Sequence, residues 1–179
     1  MYARLGLALV LGVATAIVSQ ASASSTRTTF ADGTWTAVGR ITGGIFGDVN
    51  MEGTGTVRFH MTICHGHALG GQLTFSERFH GAVRGQRFTG TANGTLRIRA
   101  TERDAIHVRG PVRVTATVLG ITTGATATGD GRITGSGTAR RMTGDLAIDA
   151  RAIQSASSAI GSTTVEAPYV ARRTGRASC

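Results

Sequence analysis

Apolar and polar residues alternate along most of this chain. From Thr56 to Ile63, Val57, Phe59, Met61 and Ile63 fall on one side, while Thr56, Arg58, His60 and Thr62 fall on the other. A period of two puts successive side chains on opposite faces of a β-strand. Gln72 to His80 repeats the pattern with Leu73, Phe75 and Phe79, and Glu77 interrupts the apolar face, which predicts a bulge or strand end there. Thr95 to Ala100 turns Leu96, Ile98 and Ala100 inward and Arg97 and Arg99 outward. Ile106 to Val118 is the longest run. It places Ile106, Val108, Val112, Val114, Ala116 and Val118 on one face and His107, Arg109, Arg113, Thr115 and Thr117 on the other. Pro111 has no amide to donate, so a kink at Gly110-Pro111 or a sheet edge is expected there. Asp145 to Ile153 adds Leu146, Ile148, Ala150 and Ala152, and weaker runs cover Thr34–Ile41, Phe88–Ala92, Thr122–Thr128 and Arg132–Ala139. No segment after the N-terminal leader keeps a 3.6-residue apolar period.

Glycine-rich steps punctuate these runs. Gly43-Gly44, Gly66, Gly70-Gly71, Asn93-Gly94, Gly129-Asp130-Gly131 and Gly144-Asp145 read as turns, and Asn-Gly is a strong hairpin signal. Asn93-Gly94-Thr95 is also formally a glycosylation sequon. Strand and turn units at this spacing predict an all-β fold, an antiparallel meander closing as a small barrel or sandwich. A fixed-period solenoid is the competing architecture, suggested by recurring Gly-Thr-Gly and Thr-Gly steps whose spacing is irregular. Trp35, the single Trp, is expected in the core or at a barrel end.

The N-terminus belongs to a different category. Arg4, the apolar run Leu5–Val18 and the small-x-small step Ala21-Ser22-Ala23 form a secretory signal peptide over residues 1–23. The run is about 14 residues, short of the ~20 a spanning helix needs. The mature chain, 24–179, is then a single β domain, with a Ser/Ala-rich surface loop at Gln154–Thr164 and a basic C-terminal tail that is flexible unless bridged. Its expected location is secreted or periplasmic, with no transmembrane segment in the mature chain. Aromatic residues make up 5% of the sequence, too few for the girdles of a membrane barrel.

Export alters the reading of the cysteines. Cys64 and Cys179 are the only two, and an even count in an oxidising compartment predicts a disulfide. A bridge closing a loop of ~100 residues stabilises by about 4–5 kcal/mol at most. Gly129-Asp130-Gly131-Arg132-Ile133-Thr134-Gly135-Ser136-Gly137-Thr138 resembles the Gly/Thr hairpins of small secreted barrels of the dirigent and allene-oxide-cyclase type. No family is assigned on this resemblance, and no functional residue is carried across.

Charge supplies the candidate chemistry. The net charge is +9, and all 19 basic residues are Arg. One reading is genomic composition; the other is attraction to a polyanion. A hairpin centred on Arg103 would set Arg97 opposite Arg109 and Arg99 opposite His107. Like charges facing each other across strands repel. Either carboxylates on a neighbouring strand, with Asp145 and Asp149 as candidates, or an anionic ligand must offset this repulsion. Guanidinium groups hold such a ligand by paired hydrogen bonds. Arg97, Arg99, His107, Arg109 and Arg113 are therefore the candidate ligand-binding residues.

Expected partners are an anionic polymer, a lipid headgroup or a protein; no nucleic-acid motif is present. His65 and His67, with His60, His80 and Cys64 near in sequence, are weak metal candidates that match no zinc spacing. No nucleophile motif or marked acid/base pair occurs, so no catalytic residue and no cofactor are assigned. The leading expectation is a non-enzymatic exported β protein that binds an anionic or amphiphilic envelope component or a protein partner. The alternatives are a small-molecule barrel, possibly an isomerase or cyclase, and a metal-binding module.

Overall fold

The structure is a computed structural model that describes residues 30–46, 49–83, 85–102, 105–152 and 161–179. The leader at 1–23 and residues 154–160 of the Ser/Ala-rich stretch lie outside them; residues 161–164 of that stretch, expected in a surface loop, are strand. The described elements are strands: β1 (Gly33–Ile41), β2 (Gly43–Phe46), β3 (Val49–Cys64), β4 (His67–Val83), β5 (Gln86–Glu102), β6 (Ala105–Val118), β7 (Ile121–Gly137), β8 (Arg141–Ala152) and β9 (Gly161–Gly175).

Each strand from β3 to β9 pairs antiparallel with the next, and β1 joins β9 back to β3, so the hydrogen bonding closes into a barrel-like ring. β1 and β2 both lie between β3 and β9, broken at Thr42, so nine strands occupy eight places. This is the all-β antiparallel meander the alternation predicts, in its closed form. Closure leaves few sheet edges to protect.

The alternating apolar residues fill the inside. Trp35, Val57, Leu73, Leu96, Ile133 and Ala171 are fully buried, and Met61, Ile106, Met142, Leu146 and Ile148 nearly so. Phe59 packs edge-on against Tyr169, whose hydroxyl donates to the Thr134 carbonyl at 2.9 Å. Burial and the Asp145 carboxylate hold the Tyr169 phenol above its usual pKa. The outer face is polar instead: β5 shows Arg87, Thr89, Thr91, Asn93, Thr95 and Arg97 to solvent.

Most of the glycine punctuation is not turns. Gly70-Gly71 lies within β4, Asn93-Gly94 within β5, Gly129-Asp130-Gly131 within β7 and Gly144-Asp145 within β8. The strands are consequently 12–17 residues long from β3 onward, longer than the punctuation implies. Packing explains the misreading. The Phe79 ring lies against Gly90, and the Tyr169 hydroxyl lies against Gly135, where a methyl group would overlap it. These glycines make room for large side chains inside a narrow ring. Gly66 is a true turn residue, with φ +74° beside His65 at +51°.

Glu77 does not break β4. Its register runs unbroken from Gly70 to His80, and the irregularity falls instead between Thr62 and Ile63. Leu69, the extra residue at that bulge, is 65% exposed. Glu77 stays in phase with Phe75 and Phe79 and is buried, the one buried charged residue among the described residues. Neither carboxylate oxygen has a hydrogen-bond partner, and burial pushes the carboxyl up to about 7. Val118, expected inward, is 39% exposed because β6 and β7 run past the packed interior toward their turn.

Cys64 and Cys179 form a disulfide across a separation of 115 residues. Arg172–Gly175 continue β9, and the bridge tethers the residues after it. A disulfide points to an oxidising, extracytoplasmic compartment. No helix among the described residues is long and apolar enough to cross a membrane.

Candidate functional site

The candidate arginines lie on β5 and β6. Arg97 is opposite Arg109, and Ile98 is opposite Val108. The pairing then slips: His107 faces Ala100, not Arg99, and Glu102 faces Ala105. The expected Arg99–His107 pair is therefore not formed. A bulge leaves Arg99 as the extra residue, and Arg103, the expected centre of the hairpin, lies outside the described residues. His107 is half-buried and also pairs with Arg132 of β7.

The acid opposite Arg109 comes from a residue assigned to a turn. Arg109 pairs in register with Asp130, and their side chains approach to 3.5 Å. Both are more than half exposed, so this ion pair contributes roughly 0–1 kcal/mol. Asp130 in turn faces Asp149, which accepts a 2.7 Å hydrogen bond from the Thr164 hydroxyl. One outward row thus reads Arg97, Arg109, Asp130, Asp149, Thr164 across five strands. Asp145 lies on a different row, opposite Thr134. Among the described residues no carboxylate reaches Arg97, Arg99 or Arg113 within the 4.0 Å of an ion pair.

Pro111 shapes this surface. The β5–β6 ladder lapses between Gly94–Val112 and Arg97–Arg109, as expected where proline cannot donate. An open hollow of about 420 Å³ forms there, lined by Arg99, Arg109, Gly110, Pro111, Thr126, Ala127 and Thr128. A neighbouring hollow of about 440 Å³ lies across Pro111 and includes Arg113, Asn93 and Thr126. Arg97, Arg99 and Arg109 are thus brought together; Arg113 lies one hollow away; His107 is turned partly into the packed sheet.

The histidines do not converge. His60 pairs with Gln72, and His80 lies 3.2 Å from Glu52 on the outer surface. His65 and His67 flank the Gly66 turn, exposed, beside a Cys64 committed to the disulfide. Among the described residues no three His, Cys, Asp or Glu side chains are placed to share a metal.

Two features lie outside the sequence reading. Arg141 and Arg172 form a second pair of facing arginines, on β8 and β9, legible only once β9 is known to extend through the basic tail. The other is the burial of the Glu77 carboxylate without a partner, where the sequence reading expected a bulge or strand end; its phase with Phe75 and Phe79 was the available signal. No family model matches this chain, and no curated protein matches it.

Proposed function

We propose that this chain is a secreted or periplasmic binding protein, not an enzyme, that holds an anionic polymer of the envelope against the arginine face of β5 and β6. One observation carries the reading. Arg97 and Arg109 face each other, Arg99 lines one hollow with Arg109, and among the described residues the one carboxylate within ion-pair distance of the three is Asp130, on Arg109. Guanidinium groups so placed offer forked hydrogen bonds to phosphate, sulfate or carboxylate. Their mutual repulsion in the free protein is relieved when an anion binds. Among the described residues the buried side chains apart from Glu77 are apolar, which weighs against the isomerase or cyclase reading, since that needs an interior cavity with several polar groups.

The test is binding of the oxidised chain to immobilised long-chain polyphosphate across a salt series. Affinity should fall steeply with salt, since bound polymer releases counterions. Arg97→Ala with Arg109→Ala should weaken binding by about tenfold and flatten the salt slope. Arg141→Ala with Arg172→Ala removes the same charge elsewhere and should change affinity by less than about twofold. Equal losses in the two double variants would show that net charge alone binds the polymer and would overturn the site.

A further inference from the structure

The β6–β7 hairpin ends in a tip that the arginine face does not explain. Val118, Leu119 and Ile121 are 39%, 73% and 69% exposed. They surround a two-residue turn in which Leu119 has φ +50° and Gly120 φ +79°. Positive φ at both turn positions favours Asn-Gly, and a leucine there is uncommon and strained. The turn therefore holds an apolar side chain in water at a position where a polar one would be more stable. Strain of this kind directs attention to function.

The surroundings identify the chemistry of the partner. The tip is a two-residue turn with its apolar side chains exposed, so a protein would have to supply a pocket for it, whereas a bilayer needs none. Its backbone is already paired, Val118 with Ile121 and Thr117 with Thr122, which removes the largest cost of leaving water. The hydroxyls of the next rung are also satisfied, Thr117 to Thr122 at 2.9 Å, with Thr91 and Thr115 bonded at 2.6 Å further down. Arg87 is exposed immediately before Phe88, the cross-strand partner of Val118. A cation beside an apolar tip complements the phosphate layer of an anionic membrane.

We infer that the Val118–Ile121 tip inserts into the surface of a lipid bilayer, with Arg87 at the level of the headgroups. This site is separate from the arginine face and does not depend on polymer binding.

Cosedimentation of the full oxidised chain with vesicles tests it, using phosphatidylcholine alone and phosphatidylcholine mixed with phosphatidylglycerol. The protein should partition onto the mixed vesicles and more weakly onto the neutral ones. Leu119→Asn with Ile121→Gln should lower partitioning by at least about tenfold, the scale of losing two buried apolar side chains. Arg87→Gln should lower it roughly fivefold on the mixed vesicles and much less on the neutral ones. Leu119→Asn restores the favoured Asn-Gly turn, so the variant should melt no lower than the parent, separating loss of contact from loss of fold. Absence of partitioning by the parent chain on either vesicle, or equal partitioning by the double variant, would overturn the inference.

Discussion

The two ends of the ring are built on different principles. At the disulfide end, Phe30 packs edge-on against Trp35 at 5.1 Å, and the Trp35 indole donates to the Ala31 carbonyl at 2.8 Å. The Gly66 amide donates to Asp32, whose carboxyl this bond holds below its usual pKa, and Cys64 ties down the C-terminus. At the hairpin end, Phe79 and Phe88 meet inside the ring, but β6 and β7 continue past them into water. Hydroxyl bonds and a strained turn are what that end offers. The contrast teaches a division of labour: the disulfide and the Gly66–Asp32 hydrogen bond hold one end, so the other can expose apolar groups without unravelling the sheet. The gap at Gly110-Pro111, where the arginines gather, lies between the two.

Removing the bridge should break this contrast most strongly. Cys64→Ser with Cys179→Ser should destabilise the fold by up to about 5 kcal/mol, read as a lowered urea midpoint. The same loss should follow reduction of the parent chain with dithiothreitol.

Glu77 tests the interior between the ends. Its carboxyl is raised from 4.5 to about 7 in the folded chain, so folding favours the protonated form. Stability from this group is complete below pH 4.5 and is lost as pH rises to about 7. The loss amounts to about 3 kcal/mol. Glu77→Gln should remove that slope, and urea midpoints measured across this range would show it. An unchanged slope would mean the carboxyl is solvated.

The smallest effect belongs to the hairpin end. Thr117→Val with Thr122→Val should change stability by less than about 1 kcal/mol, because the rung is exposed. A larger loss, seen by thermal unfolding, would mean that the projecting hairpin supports the fold and would erase the contrast.

What the sequence revealed follows from these same forces. Alternation from Thr56 to Ile63 and from Ile106 to Val112 was readable because one face is buried and the other wet. The Arg97–Arg109 pairing was readable because Ile98 and Val108 must share a face. The glycines misled because in a narrow ring they create space next to Phe79 and Tyr169 rather than turn the chain. That error hid Asp130, the acid beside Arg109. The slip at Arg99 was not legible, since a bulge depends on the neighbouring ladder and not on alternation.

An amide NMR titration of the oxidised chain with polyphosphate is the most direct test of the arginine face. The account expects saturable shifts at Arg97, Arg99, Arg109 and Thr128 that weaken with added salt, with Arg141, Arg172 and the Val118–Ile121 tip unmoved. Shifts spread evenly over arginines all around the ring, or confined to Arg141 and Arg172, would contradict it.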